Sequence, residues 1–418
     1  MATQTDNRPL VLLLCTGRRE LREYLLSAMS HDFRVHIFAG QDPTWETPYI
    51  SGYTYISEAA GVDETLPLAL RVNEEEPIDG VLTWQETHTT QVAHVAAALG
   101  LPGNDERAMG RCRDKHLTRQ ALDAAGVPQP RSVMVASEAE ALEVAGRIGY
   151  PVVIKPSDLA VSFGVIKVAS PGEMHAAYAE TSSIPVPGMP EYRVRVLVEE
   201  FADGEEISVD CTIFHGQVQI LCIARKTTSF PPYFIETGHS VDSADPLRSD
   251  PRLQALMQEA HEAIGLRDGV THTEIKLTAA GPKIIEINGR LGGDQIPYLG
   301  LRATGVDVGI ASTRVACGLA PDVAPDRELA AAIRFFCVKE DNALIESIGF
   351  DPERLDDAVD EVVILAKAGE RRPLASANPL RGRLAYAIAV APTLKECQEA
   401  LDSAEAALQV VTGGQETR

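Results

Sequence analysis

The sequence predicts an α/β protein whose central part turns α+β, and three observations carry that expectation. Short continuous apolar runs alternate with helical patterns over residues 9–110, which is how strands covered on both faces of a parallel sheet read. From 190 to 300 the pattern becomes an apolar/polar alternation broken by tight turns, as in an antiparallel sheet. The chain has 418 residues, 45% apolar and 23% charged, the composition of a globular protein of two or three domains.

The elements follow in order. An apolar run at 10–15 precedes Gly17 and a helical pattern at 20–29; further runs lie at 34–38 and 78–84, the latter followed by a helix at 89–99. Gly17 sits where a nucleotide-binding turn would, but the segment lacks the rest of GxGxxG, so no dinucleotide site is expected. A helix at 114–125 is closed by Gly126 and stopped by Pro128 and Pro130. A second helix at 137–148, a strand at 152–155, a loop of small residues at 156–164 and a strand at 165–168 come next. The proline-rich stretch 184–190 reads as an exposed connection. Residues 207–213 and 218–224 form a hairpin about His215-Gly216. The C-terminal portion adds a helix at 306–319, strands at 331–338 and 384–391, and a helix at 393–408.

Sixty acidic against 38 basic residues leave a formal charge of −22. That excludes a nucleic-acid or anionic-membrane partner, because phosphate backbones need a basic surface; it leaves room for a small basic pocket. The run at 10–15 is too short for a bilayer and has no signal-peptide pattern, so a cytoplasmic location is expected. Seven cysteines (Cys15, Cys112, Cys211, Cys222, Cys317, Cys337, Cys397) are scattered and never spaced CxxC, which reads as core packing rather than a disulfide framework or zinc knuckle.

The chemistry begins at 271–288. Both flanks alternate about Gly281-Pro282, which marks a hairpin. If it pivots on Ala280, Glu274 faces Glu286 and His272 faces Asn288 on one side of the ribbon. Like charges ~5 Å apart repel, so two carboxylates and an amide there suit a hard divalent cation, above all Mg²⁺ with phosphate. The other reading is a solvated face with Lys276 neutralising one glutamate, and a one-residue slip would undo the arrangement. Immediately beyond, Arg290 offers a planar fork for an anionic group, and Gly292-Gly293 allow close backbone approach. Lys155 ends its strand at the small-residue loop and Lys115 begins a helix; both suit phosphate, and both are equally readable as solvated charges. The acidic segment from Glu199 and Glu200 through Ala202 to Glu206 reads either as a bend offering backbone to an adenine or as a solvated edge.

Taken in order, Lys115, Lys155 with its loop, Glu199 to Glu206, Glu274 and then Glu286-x-Asn288-x-Arg290 resemble the ATP-grasp superfamily, over roughly residues 9–410. The resemblance implies the ATP-grasp fold: an N-terminal parallel-sheet domain (1–112), a small lid (113–203), and a large antiparallel-sheet part with a C-terminal addition (204–418). It implies that Lys115, Lys155 and Lys226 hold ATP phosphates with Ser162 of the loop. By the same likeness Glu199, Glu200 and the Ala202 backbone lie at the adenine, Glu206 takes the ribose, and Glu274, Glu286 and Asn288 ligate two Mg²⁺ ions, with Mn²⁺ as a substitute. Residues 230–239 and 290–294 are similar to the dipeptide-forming amino-acid ligases. That similarity places Glu236, His239, Arg290 and Gly293 at the substrate and gives Glu236, His239 and Arg290 catalytic roles. Glu86 matches an acidic position at the tip of the first domain, where helix capping is an equal reading.

The implied function is an ATP-dependent ligase that activates a carboxylate as an acyl-phosphate and couples it to an amine, on small-molecule substrates and as a homodimer. The alternatives are loading of an amino acid onto a carrier thiol, purine-type ligation, or a catalytically silent nucleotide-binding regulator.

Overall fold

The computed structural model describes residues 6–57, 60–159, 163–184 and 194–413. The N-terminal parallel sheet has the order β3-β2-β1-β4, from β1 (Leu10–Leu14), β2 (Arg34–Ala39), β3 (Gly52–Tyr55) and β4 (Gly80–Thr83). β1 is buried throughout, and helices flank it as its unbroken apolar run requires. The chain leaves β1 toward β2 on one side and pairs β4 on the other. At such a reversal the loops at the carboxyl ends splay into a crevice. Edge strand β3 and the helix Val62–Glu75 carry no clear sequence signal, because Tyr53 and Tyr55 are exposed and the helix contains Pro67.

A second, four-stranded antiparallel sheet has the order β5-β8-β6-β7: β5 (Ser132–Val135), β6 (Val152–Pro156), β7 (Ile166–Val168) and β8 (Val196–Glu200). The helices Glu138–Ile148 and Met174–Ser182 cover one face, the first capped by Ser137. The helix Lys115–Ala124 leads into this unit, with Asp114 as its cap and Gly126 in the left-handed region beyond it. Of the expected connection at 184–190, residues 185–190 lie outside the described part.

The central sheet has eight strands in the order β13-β12-β9-β10-β11-β14-β18-β16. They are β9 (Gly204–Phe214), β10 (Gln217–Ser229), β11 (Ile235–Asp242), β12 (Gly269–Thr278), β13 (Gly281–Asn288), β14 (Ala330–Cys337), β16 (Val359–Ile364) and β18 (Arg383–Ala391). A three-stranded sheet of β15 (Ala343–Phe350), β17 (Arg371–Arg372) and β19 (Leu408–Gly413) completes the C-terminal part. Ile207, Val209, Cys211 and Ile213 of β9 turn their alternate faces onto the helix Pro251–Ile264 to make the largest core. No disulfide joins the seven cysteines. No helix among the described residues is long and apolar enough to cross a membrane.

The β12–β13 register decides the site. The expected facing pairs are present: Glu274 opposite Glu286 and His272 opposite Asn288. The expected turn is not. Gly281 and Pro282 lie in the ladder, opposite Thr278 and Leu277, so the chain reverses at Ala279-Ala280, and a bulge at Ile285 restores the pairing one residue later. The bulge explains a burial pattern that a regular strand forbids. Ile284 and Ile287, three apart, both pack in the core, while the adjacent Ile285 and Glu286 both line the cavity on the other side.

Gly204 begins β9 at φ +152°, where an added Cβ would lie 2.2 Å from the Leu277 carbonyl oxygen. Gly204→Ala is therefore expected to cost roughly 1–3 kcal/mol and to lower the thermal transition, read by circular dichroism.

Candidate active site

A cavity of about 300 Å³ lies between the four-stranded antiparallel sheet and the central sheet, with Leu21 and Arg22 of the first helix also lining it. Val153, Val165, Phe201 and Ile285 line its apolar end, which suits a flat ring; Lys115, Lys155, Glu274, Glu286 and Arg290 line the charged end. A larger cavity of about 880 Å³, bordered by Thr227, Gly238, Arg334 and Leu401, contains neither the two lysines nor the carboxylate–amide cluster.

The charged end is built on one buried ion network. Glu199, on β8, accepts two hydrogen bonds from Arg119 (2.8 and 3.1 Å) and an ion pair from Lys155 at 2.7 Å. All three side chains are almost fully buried. Burial raises the Glu199 pKa, but the two cations and their hydrogen bonds outweigh it and hold the carboxyl at about 2. The Lys155 pKa is lowered, because burial and the nearby Arg119 and Lys115 outweigh the pull of Glu199. Arg119 also donates to the carbonyls of Ile284 and Ile285 on β13, the outermost strand of the central sheet, which has no further strand to pair them. Sequence reading missed Arg119; the signal was a second cation four residues after Lys115, on the helix face that also buries Thr118 and Leu122.

The facing carboxylates are held by two different lysines, and neither is Lys276, which pairs with Glu206 at 3.0 Å. Lys115 reaches Glu286 at 3.2 Å and donates to the Leu159 carbonyl at 2.8 Å. Lys226, its side chain 1% exposed, sits among Glu236 (2.7 Å), Glu274 (2.8 Å) and Glu206 (3.3 Å). Burial alone would lower its pKa; three carboxylates drive it well above the usual value. Lys226 thus stands behind the cavity wall as the hub of three glutamates that line it. Its charge and hydrogen bond hold Glu274 at about 2 against the opposing effect of burial. Asn288 is buried beside them and donates to the His272 carbonyl at 3.4 Å. His272 itself is anchored by Asp210 at 2.6 Å. Gly292 lies over that pair, where a Cβ would meet His272 Nδ1 at 3.0 Å and Asp210 Oδ2 at 3.1 Å.

On the far side, Arg290 pairs with Glu86 at 3.0 Å, so Glu86 anchors an arginine rather than a helix end. Glu236, His239 and Asp294 bring ligand atoms within 4.8 Å of one another. Arg383 grips Asp294 with both nitrogens (2.7 and 2.6 Å), lies 3.6 Å from the centre of the Phe335 ring, and donates to the Glu236 carbonyl at 3.2 Å. Against the effect of burial, Arg383 and His239 keep the Asp294 carboxyl well below its ordinary range. No pattern in the sequence ties Arg383 to Asp294, 89 residues away. Glu200 pairs with Lys283 at 2.8 Å, Ala202 is buried on the cavity wall, and Gly293 lines the charged end. Ser162 lies outside the described residues.

A strand hairpin carrying paired glutamates and an asparagine is thus set against two lysines, one on a separate four-stranded sheet and one on the helix that leads into it. Residues 148–298 match the ATP-grasp domain model. The fold is the ATP-grasp fold. An L-amino acid ligase from Bacillus licheniformis superposes with a TM-score of 0.79 at 20% identity, over 98% of this chain and 100% of that one. Among curated relatives, the chain is 30% identical to human carnosine synthase 1 over 262 residues, 58% of this chain and 31% of the relative. It is 28% identical to alanine–anticapsin ligase of Bacillus subtilis over 255 residues, 57% of this chain and 54% of the relative. The chain thus spans about a third and about half the length of these two relatives.

The Glu199 network predicts an acid-labile component of stability in this ATP-grasp site. Its folded pKa of about 2 lies below the ~4.3 of an unfolded glutamate. The contribution is therefore complete above about pH 4.3 and lost as pH falls toward 2. Glu199→Gln strands two buried cations and is expected to destabilise by about 3–5 kcal/mol at pH 7. Denaturant melts across pH 3–7 should show the wild-type advantage shrinking as pH falls.

Proposed function

We propose that the chain is an ATP-dependent carboxylate–amine ligase that activates an amino acid, or an amino-acid-like acid, and joins it to an amine with release of ADP and phosphate. The single observation that carries the reading is the ribbon face on which Glu274 opposes Glu286 beside Asn288, at a cavity bordered by Lys115 and Lys155. Three hard oxygen donors fit Mg²⁺, and their present partners, Lys226 and Lys115, supply the balancing charge. Glu274, Glu286 and Asn288 would hold the metal, which when bound neutralises the phosphate charge and draws the transferring group into line.

The residues divide the remaining work. The apolar end, with Phe201 and Ile285 and the backbone at Ala202, takes the adenine; Glu206, beside Lys226 and Lys276, takes the ribose hydroxyls. The Glu199 carboxylate is spent on Arg119 and Lys155, so its part is to position Lys155, and Lys155 and Lys115 steady the phosphates. An oxygen of the substrate carboxylate attacks the terminal phosphorus, and the bond to ADP breaks with its electron pair leaving on the ADP oxygen. The amine, unprotonated, then attacks the acyl carbon. The carbon–oxygen bond to phosphate breaks, phosphate departs, and the nitrogen sheds one proton. Arg290, oriented by Glu86, stabilises the negative charge that both steps concentrate on the acyl oxygens. The acyl-phosphate is prone to hydrolysis, and the small sheet, as a lid over residues 113–203, would exclude water.

Purified protein with ATP and Mg²⁺ is expected to release ADP when two amino acids are supplied together and to form their condensed mass. Absence of ADP with every combination would leave the silent-regulator reading. Glu286→Ala is expected to cut turnover by roughly 10²–10³-fold with an unchanged circular dichroism spectrum; undiminished turnover would remove the metal assignment.

A further inference from the structure

Arg22 lies on the helix Arg19–Asp32 of the N-terminal unit, yet its side chain lines the charged end of the cavity, 270 residues away in sequence from the loop it meets. The residue is only 8% exposed. Its one hydrogen bond among the described residues is a long one, 3.5 Å from Nη2 to the Gly292 carbonyl oxygen. No carboxylate among the described residues lies within 4.0 Å of it. The carboxylates near enough to act on it through space are committed elsewhere: Asp294 to Arg383 at 2.6 Å and Asp210 to His272 at 2.6 Å. Arg290, the second guanidinium at this end, has Glu86 to itself at 3.0 Å. A guanidinium offers five donors, and burying it with one weak bond is costly unless an anion completes it.

The chemistry of the proposed reaction, on which this inference rests, says which anion. The carboxylate that is activated belongs beside Glu274, Glu286 and Arg290, and it ceases to be a carboxylate once phosphorylated. If the amine substrate is itself an amino acid, its own carboxylate passes unchanged into the product and needs a separate cation throughout. We propose that Arg22 is a specificity-determining residue that binds the carboxylate of the amine substrate, so that the acceptor is an α-amino acid rather than a simple amine or a carrier thiol.

The test uses the full chain, Arg22→Gln and Arg22→Lys, with a panel of α-amino acids and their α-amides as acceptors. For the wild type, an amino acid should outperform its amide in kcat/KM by roughly 10–150-fold, the worth of a charge-assisted hydrogen-bond pair. In Arg22→Gln that preference should vanish through a raised acceptor KM, with the KM for ATP unchanged, and Arg22→Lys should restore part of it. The Arg22→Gln melting temperature should be equal to or above wild type, since an under-partnered buried charge is removed; a purely structural arginine would instead lower it. ADP release that persists with the amino-acid-over-amide preference intact in Arg22→Gln overturns the inference while leaving the ligase reading in place. So does a loss confined to donors with a side-chain carboxylate. If the wild type releases no ADP, the ligase reading fails separately, and acceptor binding by calorimetry still decides Arg22: amino acids bound by wild type and not by Arg22→Gln support it, and equal binding overturns it.

Discussion

Arg119 is the constraint on which the site depends. One guanidinium joins the Glu199 carboxylate of the four-stranded sheet to the Ile284 and Ile285 carbonyls of the central sheet. The fork geometry of arginine makes this possible; a lysine in its place could offer neither the bidentate grip nor the second pair of donors. Two consequences follow. Glu199 is fixed so that Lys155 points into the cavity, and the two outward carbonyls of edge strand β13 at the bulge are paired. Without the bulge, Ile284 and Ile287 could not share the core, and the register that sets Glu274 against Glu286 would compete with one slipped by a residue. Lysine positioning and carboxylate pairing are therefore two outcomes of one contact.

The electrostatic arrangement explains how a chain of charge −22 holds a polyanion site. Several of its cations converge on one cavity, and Lys115, Lys155 and Arg290 are each balanced by a neighbouring carboxylate, while the acidic surface contributes little at that distance through screening salt. The balance is transferable. Lys226 is embedded in three glutamates and Lys115 in one, so a cation that replaces them at Glu274 and Glu286 would free lysine charge toward phosphate. Such an exchange moves little net charge into low dielectric, where an unbalanced ion would be expensive.

Much of this was legible in the sequence, and the parts that were not share physical causes. Period-two alternation exposed the Glu274/Glu286/Asn288 face, and the long apolar runs exposed β1 and β4. The turn was misplaced because Gly281-Pro282 is a strong local signal, whereas the bulge one residue beyond Ile284 is decided by packing and by Arg119. Edge strand β3 and the small strands β15, β17 and β19 were missed because exposed or short strands show weak alternation. The residues singled out by their motif neighbours, Lys115, Lys155 and Arg290, line the cavity, and Lys226 pairs with glutamates that line it. Residues whose partners lie far away in sequence, Arg119, Arg383 and Arg22, were not singled out, since nothing local marks an arginine as buried.

The loop 289–295 shows how those distant partners act together. Asp294 and Gln295 are consecutive non-glycine residues in the left-handed region, at φ +48° and +64°. Each such residue costs about 1–3 kcal/mol and persists only where its surroundings over-determine it. The determinants come from opposite ends of the chain: Arg383 of β18 clamps Asp294, and the Glu20 carbonyl of the N-terminal helix accepts from Gln295 at 2.8 Å. That same helix delivers Arg22 to the Gly292 carbonyl. The strained turn thus ties the N-terminal unit and the C-terminal strand to the residues following Asn288, the segment that carries both Arg290 and the carbonyl Arg22 meets. A site that must tell one carboxylate from another needs its loop fixed by more than Gly292 and Gly293, and here two clamps fix the residues that follow them, Asp294 and Gln295.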